Sequence, residues 1–260
     1  MIYFSGSSTG ATFFFMKYKQ YIPTYSHAFQ KYHGWLIAET EHYIFHYTKG
    51  ASAEKDIKNI KMRQEKSFEK IVSTLGVPIP AKKIIYYFYP NPEVKIELMG
   101  DDWFAQSIYD EFCIHVLYTP KDKPLGEHED THLLTLSWGL SINFLQEGLA
   151  EYMVGHNWYG ESHKECIKEG LAKGYELNPL KILTEKDWLS TPQDGAIYFY
   201  SLSGEWARYL IETFGLEVFK KLYTECTREE TAETMHQKYQ KYTKKSVEEL
   251  EKDFFLVSNL

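Results

Sequence analysis

The sequence predicts an α+β fold: strands and one long helix in the first half, an almost wholly helical second half, and a cleft between the two parts. Three observations carry this. Apolar runs at 35–47, 83–89 and 112–118 have the alternation or continuity of strands. Helical periodicity governs 51–75 and nearly everything after 128. At 43% hydrophobic, 260 residues supply enough apolar surface for one large domain or two closely packed subdomains.

Taken in order, residues 1–33 form an N-terminal extension. Its opening, MIYFSGSSTGATFFFMKYKQ, has neither the basic start nor the small-residue cleavage site of a secretory signal, and Met16 offers an alternative start. The aromatic stretch from Tyr21 to Tyr32 is as well suited to covering a cleft as to packing on the core. An α/β subdomain is expected over 34–140. Trp35 to Tyr47 reads as its opening strand, with Tyr43, Phe45 and Tyr47 alternating against His42, Ile44 and His46. Ala51 to Leu75 reads as a helix, because Ile57, Ile60, Phe68, Ile71 and Val72 recur at helical spacing and Gly76 with Pro78 ends the run. Lys83 to Tyr89 and Phe112 to Tyr118 are the next strands, the second leading through a proline-rich turn into His128-Glu-Asp-Thr-His132. A helical subdomain is expected over 141–260, with helices at 141–154, 161–174, 196–214 and 216–227, and a last one opened by the Ser246/Glu249 capping box.

Composition excludes several function classes. A formal charge of −7 with scattered lysines gives no footprint for nucleic acid. No apolar run reaches the length of a membrane span. Three unclustered cysteines, Cys113, Cys166 and Cys226, indicate neither a disulfide framework nor a cysteine metal site, so reduced thiols in a cytoplasmic protein are expected. The 21 tyrosines and 16 phenylalanines point to aromatic core and identify no ligand. Oligomeric state is not legible.

The chemistry lies in the HExxH pentad. On a helix, His128 and His132 are one turn apart on one face, where both imidazoles reach a single Zn²⁺, and Glu129 beside them can hold an attacking water. His42 and His46 share that spacing, but in a strand it spans roughly 13 Å, too far for one ion. A catalytic zinc takes a third protein ligand and leaves a position for water. Glu147 and Glu151, four residues apart on a later helix, are both candidates; one binds and the other supports it. His115 is expected to be a satisfied core histidine, and His156 and His163 to be surface residues.

HEDTH followed by Leu145-Gln-Glu-Gly-Leu-Ala-Glu-Tyr152 resembles the gluzincin metallopeptidases, the clan of thermolysin and the zinc aminopeptidases, and within it the peptidase-MA-like family. ETEHYIFHY, IIYYFYP and YSLSGEWARYLIETFGLEVFKKLY extend the resemblance over roughly 37–255. It implies a zincin-like fold with the pentad on an active-site helix, and a zinc-dependent peptidase acting on a peptide or protein. It implies Glu147 as the third ligand and Glu151 as the acceptor that orients a ligand histidine. The longer spacing of some gluzincins would select Glu151 as the ligand. Tyr200, with Tyr198 as its neighbouring candidate, takes the place of a family tyrosine near the metal, where its O–H could stabilise an oxyanion.

The expected reaction is hydrolysis by a metal-activated water with Glu129 as general base. The GxMEN segment by which the clan's aminopeptidases hold a free amine is missing, which favours an endopeptidase. The competing expectation is a non-catalytic zinc module that binds or senses. Glu129 argues against it, because a structural zinc site needs no general base.

Overall fold

A computed structural model describes residues 26–260. The readings made on the opening segment, Met16 and Tyr21 to Tyr25 lie outside the described residues. The chain divides into two compact units, one ending at Leu136 and the other Ser137–Leu260. The architecture is α+β, with a five-stranded mixed sheet and, among the described residues, ten α-helices.

The first unit is built on that sheet. Strands β1 (Trp35–Glu39) and β2 (Tyr43–Thr48) form an antiparallel hairpin, so the single opening strand expected over 35–47 is corrected to two. The bend at 40–42 is fixed by the backbone bond from Thr40 N–H to the Tyr43 carbonyl and by Lys83, whose ammonium donates to the Thr40 carbonyl. Helix α1 (Ser52–Leu75) crosses to β3 (Ile84–Tyr89), which lies parallel to β2; Gly76, in the left-handed conformation at φ 62°, ends the helix where the sequence expects. A short helix α2 (Pro92–Met99) follows, capped by Asn91, whose side chain accepts from the Val94 N–H. Strand β4 (Ala105–Ile108) is an edge, antiparallel to β5 (Cys113–Leu117), and β5 is parallel to β3. The order across the sheet is β1-β2-β3-β5-β4.

The two faces of the sheet hold different cores. Tyr43, Phe45, Tyr86 and Phe88 stack on one face, with Phe68 of α1 edge-on to Tyr43. The other face packs Tyr89, Leu98, Met99 and Ile108 around Phe29, which sits in a short 3₁₀ turn at Ala28–Lys31 and is fully buried. The described end of the N-terminal extension therefore packs on the core. Beneath it Lys95 is completely buried against Asp101, and burial lowers its pKa even with that partner.

The second unit is helical. Its described α-helices are α4 (Asn143–Val154), α5 (His163–Ala172), α6 (Glu185–Leu189), α7 (Ala196–Phe214), α8 (Leu216–Glu225), α9 (Ala232–Thr243) and α10 (Val247–Ser258). Helix α7 is its axis. Trp206 is fully buried, with ring centroids 5.2 Å from Phe254 of α10 and its indole N–H donating to Tyr239 of α9 at 3.2 Å. Burying a ring of this size contributes on the order of 3 kcal/mol. The capping box at Ser246 and Glu249 is formed in full. All three cysteines are free and buried: Cys113 in β5, Cys166 in α5 and Cys226 after α8. No helix among the described residues is long and apolar enough to cross a membrane.

Candidate metal centre

Helix α3 (Glu127–Leu134) carries the pentad. It starts at Gly126, whose φ of 113° and ψ of −146° suit glycine alone; the Gly126 N–H is held by the side-chain carbonyl of Gln64 at 2.9 Å. A turn of helix sets His128 and His132 with ring centroids 5.1 Å apart and the rings edge to face. His132 is buried and His128 half-buried. Glu129 is buried to 9% exposure, and its carboxylate accepts from the Ser107 hydroxyl at 2.6 Å; the same hydroxyl lies 3.1 Å from the Glu129 carbonyl. Nothing in the sequence singles out Ser107, because it sits on the short, polar edge strand β4.

Between the histidines, Asp130 is completely buried in a polar cluster. Its carboxylate accepts from Tyr43 at 2.6 Å, Tyr86 at 2.7 Å and the Gln64 amide at 3.0 Å. Burial pushes its pKa up to about 7, against the lowering effect of the two tyrosine bonds.

In the second unit α4 carries Glu147 and Glu151, at 3% and 1% exposure. Gly148, beside Glu147, permits a close approach to α7: a β-carbon there would lie 2.6 Å from the Ser203 carbonyl oxygen. One oxygen of Glu151 meets the Nε2 of His163 at 2.8 Å. His163 is thus 4% exposed and bound, correcting its expected place on the surface. Its position at the start of α5, twelve residues from Glu151, belongs to no motif. His156 is exposed as expected. Tyr200, on α7, is buried with its ring 5.4 Å from both Trp158 and Trp188, while Tyr198 bonds Lys173 and Glu169 at the rim of α5.

Among the described residues one group of three potential metal ligands comes together: His128, His132 and Glu147, with one ligand atom of each within 4.8 Å of the others. Two imidazoles and a carboxylate are the donor set of a catalytic zinc, whose bonds are about 2.0–2.2 Å long, and three protein ligands leave a position for water. The residues present fit the ion. Glu151 does not belong to the group.

The histidines in and beside the sheet are occupied otherwise. His115 is fully buried, bonded to the Tyr89 hydroxyl at 2.8 Å with Cys113 Sγ 3.3 Å from its other nitrogen, and burial holds its pKa well below the usual histidine value. It is a satisfied core histidine. His42 bonds Glu65 at 2.7 Å and stacks on Phe68. His46 stacks on Tyr87. No protein-family model and no curated protein matches the chain.

Proposed function

We propose that this protein is a zinc-dependent metallopeptidase of gluzincin type with a zincin-like fold, in which His128, His132 and Glu147 hold the ion and Glu129 is the general base. The observation that carries the reading is the association of that three-ligand group with a glutamate directly beside one ligand histidine. Zinc bound there would supply Lewis-acid polarisation of a substrate carbonyl and of a water.

The chain's own residues supply the rest. Glu129 takes the proton of the attacking water and passes it to the leaving amine, so it must be ionised at the start of the cycle and correctly aimed. Its bond from the Ser107 hydroxyl serves the aim, because it limits the rotamers of the carboxylate. Ser107 lies on the edge strand β4, where an extended peptide could pair as a further strand. Tyr200 is the residue assigned to the developing oxyanion. Its O–H would have to reach the carbonyl from between two tryptophan rings, so its aim is restricted.

The test is elemental analysis of the purified protein alongside a peptide-library digestion scored by cleavage position. About one zinc per chain together with internal cleavages supports an endopeptidase. Zinc without cleavage of any peptide replaces this reading by the non-catalytic zinc module, and no zinc after reconstitution overturns both.

A further inference from the structure

The buried cluster around Asp130 lies on the side of α3 away from the imidazoles. At about 100° per residue, a side chain two positions from each histidine points roughly opposite to both. Three donors converge on it there: Tyr43 from β2, Tyr86 from β3 and Gln64 from α1. Gln64 also holds the Gly126 N–H at the start of α3 and donates to the Tyr86 hydroxyl at 2.8 Å. Tyr43, Tyr86 and Gln64 are themselves at most 1% exposed.

We propose that Asp130 is a positioning residue for the metal site: its bonds to Tyr43, Tyr86 and Gln64 fix the rotation of α3 about its axis, and so the direction in which His128 and His132 present their imidazoles. The inference rests on the zinc reading above. A carboxylate at this place is costly to bury, and an apolar side chain would fill the volume without that cost. An apolar contact, however, is non-directional and lets a helix roll. Three bonds from a sheet and a second helix do not. The geometry is demanding: a roll of about 20° moves an atom about 6 Å from the helix axis by about 2 Å, whereas metal–ligand distances tolerate about 0.2 Å.

The strand β3 contains its own control. Tyr86 and Tyr89 are both buried, and each makes hydrogen bonds through its hydroxyl, Tyr86 to Asp130 and Tyr89 to His115 on the opposite face. The experiment compares Tyr86→Phe with Tyr89→Phe, measuring zinc affinity by chelator competition and thermal midpoint for each, with Tyr43→Phe as a second variant at the Asp130 end. The expected result is a zinc Kd raised about tenfold in Tyr86→Phe and in Tyr43→Phe, and changed less than about twofold in Tyr89→Phe, at similar losses of thermal midpoint. The cobalt-substituted Tyr86→Phe protein should also show an altered visible spectrum. Equal affinity in wild type and both Asp130-side variants overturns the inference while leaving the zinc reading intact, as does an equal weakening in Tyr89→Phe. A wild-type protein that takes up no zinc overturns the zinc reading, and this inference with it.

Discussion

Two histidine pairs in this chain have the same four-residue spacing and opposite fates. His128 and His132, on α3, come within 5.1 Å ring to ring on one face. His42 and His46, at a bend and in β2, are drawn apart to different partners: the first to Glu65 and Phe68 of α1, the second to Tyr87 across the sheet. A spacing becomes a ligand set only when the backbone period matches it: the bend at His42 sends one ring to α1, and β2 carries the other to Tyr87.

The sharpest way to break that comparison is to remove one member of each pair. His132→Ala is expected to abolish stoichiometric zinc, and His46→Ala to leave it unchanged, by elemental analysis after identical purification. Equal zinc in the two variants would falsify the metal assignment. Next in size, Glu129→Gln should retain zinc and lower peptide hydrolysis by roughly a hundred- to ten-thousandfold in kcat/KM. Undiminished turnover would remove Glu129 from the chemistry. Gly126→Ala places a side chain at φ 113°, and should cost about 1–3 kcal/mol in a urea titration, with weaker zinc binding because α3 starts there. An unchanged midpoint would mean that the start of the helix can move. The smallest effect belongs to the strand pair: His42→Ala loses a stacked ring and a partly exposed bond to Glu65, about 1 kcal/mol, with no change in zinc affinity.

The same contrast shows what could be read in advance. The pentad was legible because its three chemical residues lie within one helical turn and a bit more, so local period alone brings them together. Helix α7 and the capping box of α10 were legible for similar reasons. The hairpin between β1 and β2 was not, because its bend at Thr40-Glu41-His42 contains neither glycine nor proline. Strand β4, only Ala-Gln-Ser-Ile, is too short and polar to have an apolar pattern, and α9 buries only three of its 12 residues. Helix α2 did carry a readable start in Asn91-Pro92, but its eight residues gave too little period to follow.

Within the site, what could not be read was the set of hydrogen bonds that support the pentad from elsewhere in the first unit. The Tyr43 bond to Asp130 joins residues 87 apart, the Gln64 bond 66 apart and the Ser107 bond to Glu129 22 apart. Such pairs are set by sheet register and helix packing. His163 illustrates the limit: a histidine at the start of an amphipathic helix has the sequence character of a surface residue, and only the fold turns it inward to Glu151.

The three buried thiols give the chain internal clocks. Only a thiolate reacts quickly with alkylating or disulfide reagents; burial shields all three sulfurs, and it raises the pKa of Cys113 and that of Cys226, the latter to about 12. Labelling of native protein must therefore wait for the chain around each sulfur to open. Cys113 times the sheet of the first unit, and Cys166 and Cys226 time the helices of the second. Peptide mass spectrometry of timed labelling, with and without added zinc, should show slower reaction when the ion is present, because an ion that binds only the folded chain lowers the population of opened forms. Which sulfur slows most would identify the unit whose breathing the metal restrains.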